Sequence, residues 1–459
     1  MKIEGYYNII IYNVLICLQN TVSVFCRKIH NMSSSEQIRT LELFKAGKNV
    51  IILGPGGTGK TYIIKAISNI CMKSNIRLHI TALTGKAASL IAGAKTLHST
   101  LGIGLGKNTA EEYIKNIKAS KWKTMNWKRI KILIVDEISM LGMTLFDKLD
   151  EIARAILNPN KPFGGIQIIG SGDFLQLPPI KDKYCFESVN FDKWFPLEDG
   201  RVLFKYNFRQ DNSELRKALG EVRIGKPSPE TIALFNTRLG RNWKDDGIFT
   251  APLHIFPLRR DVDKWNCKKM QELETDEFNY KYIWEPYITW NTVRSEIELK
   301  DLLNNIAIEK NLVMKIGASV MYIINNPLID KHNGSTGVII GKSDIGMPIV
   351  KFSDGTIHTI EPHTWLTQDE LGSITQIPLI IAWAVTVHKI QGSELDCALM
   401  DIGKNVFEFN QIYVALSRIK TLEGIYLSAF DPDSIRAHPD ALEFYAAMLE
   451  PTVEEDVPH

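Results

Sequence analysis

Residues 54–61 form a glycine-rich run, Gly-Pro-Gly-Gly-Thr-Gly-Lys-Thr, whose composition and spacing suit the binding of a phosphate chain. Glycines let backbone N–H groups approach an anion closely, and the lysine adds a positive charge. An apolar run at 50–53 precedes the segment and a helical pattern at 62–71 follows it, so a helix N-terminus also faces the anion. The pattern therefore predicts a nucleotide site in which Lys60 holds the β and γ phosphates and Thr61 ligates Mg²⁺. The predicted cradle consists of Gly54, Pro55, Gly56, Gly57, Thr58 and Gly59.

Two adjacent carboxylates, Asp136 and Glu137, follow the apolar run at 132–135. This order suits nucleotide hydrolysis, because one carboxylate can hold Mg²⁺ through its water shell while the next orients and deprotonates the attacking water. An apolar run followed by Asp-Glu is common by itself and gains its meaning from the phosphate loop upstream. The sequence thus predicts that Asp136 binds the metal and that Glu137 acts on water, which favours hydrolysis over stable nucleotide binding.

A polar turn at 172–179 carries Gln176. A sensor of the terminal phosphate needs a neutral donor that can move when the phosphate leaves, and a glutamine amide meets that need. On the turn alone, an ordinary loop is the better interpretation. Gln176 is therefore a catalytic candidate whose role depends on the motifs around it.

Short apolar runs stand ahead of these polar segments and predict an α/β protein with parallel sheets. The first series lies at 50–53, 78–83, 132–135 and 166–169, and a second lies at 255–258, 319–324, 379–387, 398–402 and 425–429. Strands covered by helices on both faces are apolar throughout. Ligands of such sheets bind at the carboxyl ends of the strands, which is where the polar segments stand.

The bulk composition is that of an ordinary globular protein, with 459 residues, 45% hydrophobic and 23% charged, and a net charge of +2. So small a charge neither demands nor excludes a nucleic-acid partner. The six cysteines form no CxxC pair, which gives no support for a zinc site or a disulfide framework and favours a reducing compartment. No apolar run reaches the roughly 20 residues of a membrane span, so no membrane partner is expected.

Several segments, in chain order, resemble the motifs of superfamily-one DNA helicases of the Pif type, which are related to the RecD group. They are TALTGKAA at 81–88, TLHS at 96–99, DEISML at 136–141, GDFLQLPP at 172–179, NFRQ at 207–210, TVHKIQGS at 386–393 and YVALSR at 413–418. The resemblance covers about residues 36–430. It implies an ATP-dependent helicase that moves 5′ to 3′ on single-stranded DNA and unwinds duplexes in repair, recombination, replication or telomere maintenance. Some runs lean toward the RecD group, but we favour the Pif type.

The resemblance also implies roles for individual residues. Gln37 would read the adenine, Arg209 and Arg418 would reach the γ-phosphate as arginine fingers, and Gln391 and Gly392 would lie by the nucleotide. Contacts to DNA are implied for Thr84, Gly85, Lys86, His98, Ser99, Phe174 and His388. For three of these residues a structural role stays open as an alternative to a DNA contact: Ser99 as a helix cap, Phe174 as a core residue and His388 as a partly buried histidine.

The predicted architecture is a P-loop NTPase with two RecA-like parallel-sheet domains. The domains are expected at 36–200 and 201–450, with a small SH3-like β insertion at about 327–377 in the second. Five glycines and short strand-like runs at 333–358 favour this antiparallel module over a glycine-rich loop. Residues 104–128 carry six lysines around Trp122 and Trp127, and they predict either an excursion that touches DNA or a solvated helix face.

The ends and the partners complete the prediction. Residues 1–35 are expected to be either a targeting segment or a misassigned extension, with Met32 as the actual first residue. Residues 451–459 are expected to form a tail. ATP and Mg²⁺ are the expected cofactors, and single-stranded and tailed duplex DNA the expected partners of a monomer. The compartment is intracellular: the nucleus or mitochondrion of a eukaryote, otherwise cytoplasmic or viral. An ATPase that clamps DNA without unwinding it is the main alternative.

Overall fold

The structure, a computed structural model, describes most of the chain between residues 34 and 449. The described residues are 34–89, 91, 93–104, 106, 108–210, 212–246, 251–287, 296, 299–300, 302–303, 308–324, 326–331, 333–367 and 372–449. The predicted extension, apart from its last two residues, and the predicted tail lie outside these ranges. No helix among the described residues is long and apolar enough to cross a membrane.

The chain divides into two compact units. The first takes in the described residues up to Thr81, then Asn108–Asp173 and Lys181–Phe208. The second takes in Ala82–Lys107, Phe174–Ile180 and the described residues from Arg209 onward.

The first unit is built on a sheet whose strands follow the predicted apolar runs. Its strands lie side by side in the order Leu78–Ala82, Ile132–Asp136, Gln167–Gly172, Val50–Leu53 and Arg201–Leu203. The pairs formed by the last four are parallel. All four residues of the strand Val50–Leu53 are fully buried, as expected where both faces of a sheet are covered.

Three helices of the first unit, Ser35–Lys45, Ala110–Ala119 and Lys121–Arg129, begin with a side-chain cap. Ser34 and Gln37 form a capping box at the first of them, in which each side chain bonds the backbone N–H of the other residue. The helices are Ser35–Lys45, Lys60–Lys73, Ala110–Ala119, Lys121–Arg129, Met143–Ile156, Phe191–Trp194 and Leu197–Gly200, with 3-10 turns at Ile138–Met140, Pro162–Gly165 and Cys185–Glu187. The basic residues 104–128 are thus largely helical.

The boundary predicted at residue 200 differs from the observed division of the chain. Arg201–Leu203 pairs with Val50–Leu53 at the edge of the first sheet, and the first unit continues to Phe208. A three-residue strand is too short to give a periodic signal, so the sequence pattern does not reveal it. Two segments assigned to the first domain by sequence, Ala82–Lys107 and Phe174–Ile180, also group with the second unit.

The second unit contains another parallel sheet. Its strand order is Ala384–Thr386, Leu253–Phe256, Ala398–Ile402 and Ile425–Phe430. The unit's other elements are the helices Gly85–Ser89, Leu97–Leu101, Ser213–Arg223, Pro229–Asn236, Arg259–Gln271, Val387–Ile390, Gln411–Leu416 and Pro439–Leu449, 3-10 turns at Trp243–Asp246 and Pro432–Ser434, and a two-residue strand at Lys95–Thr96. The predicted α/β class, with two parallel sheets, is confirmed.

Antiparallel sheets interrupt the second unit between residues 277 and 381. The largest has the order Ile357–Thr359, Pro348–Phe352, Thr336–Lys342, Ser319–Tyr322 and Leu379–Ile381. Two smaller sheets consist of Glu277–Lys281 with Asn311–Lys315, and of His363–Leu366, Gly372–Gln376 and Ile283–Pro286. The glycine-bearing residues 333–358 are therefore mostly strand rather than loop.

The antiparallel region is larger than the predicted insertion at 327–377. The run at 319–324, expected in the parallel sheet, supplies an antiparallel strand. The run at 379–387 is divided between an antiparallel strand and a parallel one. Enclosed strands of either kind give the same apolar run, so the sequence could not assign these two to a sheet.

His254 is a buried histidine in the second parallel sheet. Its ring stacks on Phe256 with 4.0 Å between centroids and meets Trp265 edge-on. Its Nε2 lies 3.2 Å from the Ser428 hydroxyl oxygen. Removal from water lowers the pKa of His254 to about 4, from an ordinary value of 6.5. The neutral ring therefore belongs to the folded state.

This histidine should make the stability of the protein depend on pH. The unfolded chain takes up a proton near pH 6.5 and the folded chain only near pH 4, so the stabilisation is complete above pH 6.5 and is lost as pH falls through this window. Between about pH 7 and pH 4, urea unfolding should show the wild type losing on the order of 2 to 3 kcal/mol more than His254→Phe. The same pH dependence in both proteins would contradict this assignment.

Candidate nucleotide site and nucleic-acid interface

The phosphate loop depends on glycine at three positions before the helix Lys60–Lys73. Gly54, Gly57 and Gly59 have φ values of 148°, 84° and 86°, which side chains rarely adopt. A side chain at Gly54 would also collide with the backbone carbonyl of Phe204. The loop thereby turns into the helix N-terminus with its backbone close to the space that a phosphate would take. The residues present fit the phosphate chain of a nucleotide.

Hydrogen bonds within the loop fix its shape. The Thr58 hydroxyl is buried and donates to the Pro55 carbonyl at 2.9 Å. The Lys60 ammonium donates to the carbonyls of Gly54 at 2.6 Å and Pro55 at 2.8 Å. Lys60 thus lies along the loop, and Thr61 is exposed in the first turn of the helix. The predicted phosphate ligand and metal ligand are therefore adjacent.

Two further residues hold the phosphate loop from the segment after Arg201–Leu203. The Asn207 amide donates to the Gly56 carbonyl at 3.1 Å, and the Phe208 N–H donates to the Gly57 carbonyl at 2.8 Å. Sequence reasoning assigned this segment only to an arginine-finger motif and missed both contacts. The position of Asn207 and Phe208 directly before Arg209 is the sequence feature that could have indicated them.

Gln37 joins the same group of residues in the first unit. It is 2% exposed, and its Oε1 accepts the Ser34 N–H at 3.3 Å as part of the capping box. Its Nε2 lies so close to Gly59 that a Cβ there would come within 2.7 Å. The glutamine predicted to read the adenine is therefore held rigidly beside the phosphate loop.

Asp136 and Glu137 stand at the carboxyl end of the strand Ile132–Asp136. Burial and the neighbouring Glu137 charge raise the pKa of Asp136, while the Ser171 hydroxyl and the Lys60 ammonium act in the opposite direction. Glu137 has a left-handed backbone, with φ 53° and ψ 44°. Carboxylate and hydroxyl oxygens are the ligands Mg²⁺ prefers, so Asp136 with Thr61 fits that ion.

The two predicted arginine fingers meet at Ser417 in the second unit. Arg209 donates to the Ser417 carbonyl at 3.3 Å, and Arg418 donates to the Ser417 hydroxyl at 2.9 Å. Arg418 is 2% exposed and also donates to the Val414 carbonyl at 3.0 Å. Arg209 pairs with Glu394 at 2.8 Å. Residues 209 positions apart in sequence thus form one cationic cluster.

Glu394 is a member of this cluster that sequence reasoning did not assign. Burial acts to raise its pKa, but the charges of Arg209 and Lys420 hold the pKa of Glu394 below its usual value. Its carboxylate also pairs with Lys420 at 3.3 Å. The glutamate therefore fixes the guanidinium of Arg209 while leaving the cluster with a net positive charge.

Three other predicted nucleotide residues lie in the second unit. Gln176 is 3% exposed, and its Oε1 accepts no hydrogen bond from the described residues. A buried amide with an unused acceptor is unfavourable unless a second state employs it, which is consistent with the sensor prediction. Gln391 is buried directly after the helix Val387–Ile390, and Gly392 follows with φ 78°.

Two short helices carry most of the predicted DNA contacts. The Thr84 hydroxyl accepts the Ala87 N–H at 3.1 Å at the start of the helix Gly85–Ser89. The Thr96 hydroxyl accepts the Ser99 N–H at 3.2 Å, so Thr96 caps the next helix. Ser99 is thus not the cap.

The side chains offered by these helices differ in exposure. Ser99 is exposed, and an added Cβ at Gly85 would meet open space. His98 is half-buried, and removal from water lowers its pKa. The Lys86 side chain lies outside the description. The accessible positions suit backbone contacts to an extended strand.

Phe174 does not have the exposure that stacking on a base requires. Its ring is fully buried and meets Phe444 edge-on at 5.2 Å, and its N–H donates to the Tyr445 hydroxyl at 3.2 Å. The expectation that it stacks on a base is therefore wrong for this structure, and its alternative as a core residue holds. An aromatic residue in a motif does not reveal from sequence which way it faces.

Phe407 offers the exposed aromatic surface that Phe174 lacks. Its ring is 53% exposed and lies nearly parallel to His388, at 20° and 6.4 Å between centroids. His388 is half-buried, and removal from water lowers its pKa despite the opposing charge of Glu408. Sequence reasoning found His388 but missed Phe407, whose only signal was an aromatic residue in a polar segment.

The chain is similar to proteins of one family along most of its length. Residues 32–196 match the family model described as PIF1-like helicase. The ATP-dependent DNA helicase PIF1 of Emericella nidulans is 34% identical over 88% of this chain and 61% of that protein. The chain spans about three fifths of the length of the first curated relatives that it matches.

Solved structures agree with the sequence comparison. The crystal structure of Pif1 helicase from Candida albicans matches with a TM-score of 0.78 and 31% identity, over 91% of this chain and 99% of that one. Pif1 helicase from Bacteroides in complex with ADP-AlF3 and ssDNA matches with a TM-score of 0.68 and 28% identity, over 90% and 96%. By its motifs, its fold and these similarities, the chain belongs to the PIF1-like helicase family.

Proposed function

We propose that this protein is an ATP-dependent DNA helicase that moves 5′ to 3′ along single-stranded DNA and unwinds duplexes. The observation that carries the proposal is that the first unit holds residues that fit a phosphate chain and Mg²⁺, while the second unit holds an arginine cluster. The relative from Emericella nidulans is named an ATP-dependent DNA helicase, and the Bacteroides relative was solved in complex with ADP-AlF3 and ssDNA. Repair, recombination, replication or telomere maintenance is the proposed setting.

The residues of the first unit suit phosphoryl transfer from ATP to water, which is the chemistry that bound Mg²⁺-ATP would supply. The loop backbone and Lys60 hold the phosphates, and Gln37 holds the base. Thr61 and Asp136 hold the ion. Glu137 would orient the attacking water and accept its proton, because a carboxylate directly after the proposed metal ligand Asp136 can act as a general base.

The second unit supplies the positive charge and the sensor. Arg209 and Arg418 stabilise the negative charge that develops on the transferred group, and Gln176 detects whether the terminal phosphate is present. These residues belong to a different unit from the phosphate loop. Hydrolysis that depends on residues of two units is coupled to domain motion, which a motor on DNA needs.

The proposed DNA contacts are chiefly to the backbone, so affinity should depend strongly on salt and weakly on sequence. Thr84, Gly85, Lys86, His98, Ser99 and His388 are the proposed contacts. Phe407 is added to them as the stacking residue in place of Phe174, because its ring is exposed beside His388.

Phe407→Ala should weaken binding to oligothymidylate by about fivefold to a hundredfold, since stacking of a base on an aromatic ring contributes roughly 1–3 kcal/mol. Phe407→Tyr should retain most of the affinity. Fluorescence anisotropy with a labelled oligonucleotide measures both. An abasic oligonucleotide of the same length is the control, because it offers no base to stack. An equal loss on both oligonucleotides would remove the stacking role.

The function itself is tested by the ATPase rate with and without single-stranded DNA, with Lys60→Ala as the control. Strong stimulation that the control lacks is the expected result, because Lys60 holds the phosphates in the proposed site. Strand displacement is then measured on duplexes with a 5′ or a 3′ tail, and only the 5′ tail should support it. Stimulated hydrolysis without displacement would favour the DNA-clamping alternative, and a rate indifferent to DNA would overturn the proposal.

A further inference from the structure

The two helices at Ala110–Ala119 and Lys121–Arg129 carry an unusual concentration of positive charge. Residues 110–131 hold seven basic and two acidic side chains, a net charge of +5, whereas the whole chain has +2. Six basic residues of this segment form no ion pair with any described acidic residue, and all six are exposed. They are Lys115, Lys118, Lys121, Lys128, Arg129 and Lys131. The segment is therefore a local cationic surface on a nearly neutral protein.

Two exposed apolar side chains stand among these basic residues. Trp122 is 68% exposed and Met125 is 50% exposed. With Arg129 they stand at spacings of three and four residues, so the three share one face of the helix Lys121–Arg129. Lys121 and Lys128 lie along one edge of that face. Tryptophan is mostly buried in folded proteins, so a ring two thirds exposed among lysines needs an explanation.

The stability of the helices does not provide that explanation. They are anchored by their other face, where Trp127 is buried against Phe163, with 6.3 Å between ring centroids. The Thr124 hydroxyl joins the two helices by donating to the Ile117 carbonyl at 2.8 Å. Lys128 and Arg129 suit the last turn of a helix, but Lys121 stands in the first turn, where the helix dipole disfavours a cation.

We propose that Lys115, Lys118, Lys121, Trp122, Met125, Lys128 and Arg129 form a second contact surface for single-stranded DNA, the Trp122 surface. The basic side chains neutralise phosphates and the Trp122 ring stacks on a base, a combination typical of proteins that bind single strands without reading sequence. None of these residues belongs to the helicase motifs. The inference rests on the proposed function for the identity of the polyanion.

Single-stranded DNA fits this surface better than an anionic membrane does. Interfacial helices bury a broad apolar face in the lipid, whereas this nine-residue helix exposes only Trp122 and Met125 as large apolar side chains. Cations spread over both helices match a chain of phosphates. A single aromatic ring between them matches one unpaired base.

The test uses the full chain and fluorescence anisotropy with labelled oligothymidylate and an abasic oligonucleotide of equal length, from about 50 to about 300 mM salt. The charge variant is Lys118→Gln, Lys121→Gln and Lys128→Gln. The matched control is Lys161→Gln, Lys181→Gln and Lys193→Gln, which removes three exposed charges elsewhere in the first unit. Loss of three phosphate contacts should lower the slope of log affinity against log salt by about 2 in the charge variant only.

The stacking contact is tested separately with Trp122→Ala and Trp122→Phe. The alanine variant should bind oligothymidylate about five- to tenfold more weakly and the abasic oligonucleotide as wild type does, while the phenylalanine variant stays within about twofold. Equal salt slopes in the charge variant and its control would overturn the inference. So would variants that lose binding to phosphatidylserine vesicles but keep wild-type affinity for DNA.

The ATPase rate separates this inference from the proposed function. At saturating single-stranded DNA, both sets of variants should retain wild-type turnover, because no residue of the Trp122 surface is a proposed nucleotide or metal ligand. If wild-type hydrolysis is stimulated by DNA while the salt slopes do not differ, only the Trp122 surface is refuted. If hydrolysis ignores DNA but the surface variants still lose affinity, only the proposed function fails.

Discussion

Glu137→Gln is expected to reduce DNA-stimulated ATP hydrolysis by about 10²- to 10⁴-fold while nucleotide binding persists, because an amide cannot accept the proton of the attacking water. The substitution keeps the size of the side chain and its ability to orient water. Steady-state ATPase assays at saturating DNA measure the rate, and titration with a fluorescent nucleotide measures the affinity. The two readouts together distinguish loss of the base from loss of the site.

The backbone at Glu137 gives this prediction a structural basis. A non-glycine residue with φ 53° and ψ 44° is unfavourable by on the order of 1 kcal/mol, and such conformations cluster at functional sites. The turn at Ile138–Met140 retains it, since the Met140 N–H donates to the Glu137 carbonyl at 3.1 Å. The strand Ile132–Asp136 ends directly before this left-handed residue, so the two adjacent carboxylates have different backbone conformations and can serve different roles.

Glu151→Gln provides the matched control for this experiment. Glu151 is exposed on the helix Met143–Ile156, and the substitution makes the same change of charge and shape in the same unit. Its ATPase rate should equal that of the wild type. If Glu137→Gln also turns over within about threefold of the wild type, the general base must be another group, because proton transfer contributes at least about 10²-fold.

The sequence indicates the candidate nucleotide site of the first unit clearly, because its members are nearly consecutive and chemically distinctive. Residues 54–61 cannot be replaced freely, since three of the glycines have positive φ and the loop ends at a helix N-terminus. Asp136 and Glu137 follow a strand that an apolar run identifies. In both segments, local sequence and local structure carry the same information, so tertiary packing adds little.

Prediction failed where function depends on which way a side chain faces. Phe174 and Phe407 are both aromatic residues in polar segments, yet the first packs on Phe444 in the core and the second is half exposed. Nothing in their neighbours in sequence separates them. The same limit applies to Glu394, whose partner Arg209 lies 185 residues away and is identified only by their 2.8 Å ion pair.

The predicted domain boundary and β insertion were displaced for a related reason. A strand such as Arg201–Leu203 has three residues, fewer than any periodic pattern needs. Leu379–Ile381 and Ala384–Thr386 form one apolar run in sequence but pair in different sheets. Strand pairing is set by distant segments of the chain, so an apolar run shows that a strand exists without showing which neighbour it takes.

Arg418→Ala is expected to lower ATP hydrolysis by about 10³-fold or more, the effect typical of an arginine finger, with ATP affinity largely retained. The structure adds a second effect that sequence did not reveal. Arg418 is buried and donates to the Val414 carbonyl and the Ser417 hydroxyl, so its removal leaves both without that donor. Unfolding free energy should therefore fall by about 1–3 kcal/mol. Thermal unfolding and ATPase rate must be measured on the same preparation.

Arg238 provides the control that separates these two effects. It is 4% exposed in the same unit and donates to the carbonyls of Ile425 and Glu423, but it belongs to no helicase motif. Arg238→Ala should lose stability comparably while the ATPase rate per folded molecule stays near wild type. If both variants lose hydrolysis in proportion to their folded fraction, Arg418 acts by supporting the fold. If Arg418→Ala hydrolyses ATP normally, the proposed finger role falls to Arg209, the other arginine that donates to Ser417.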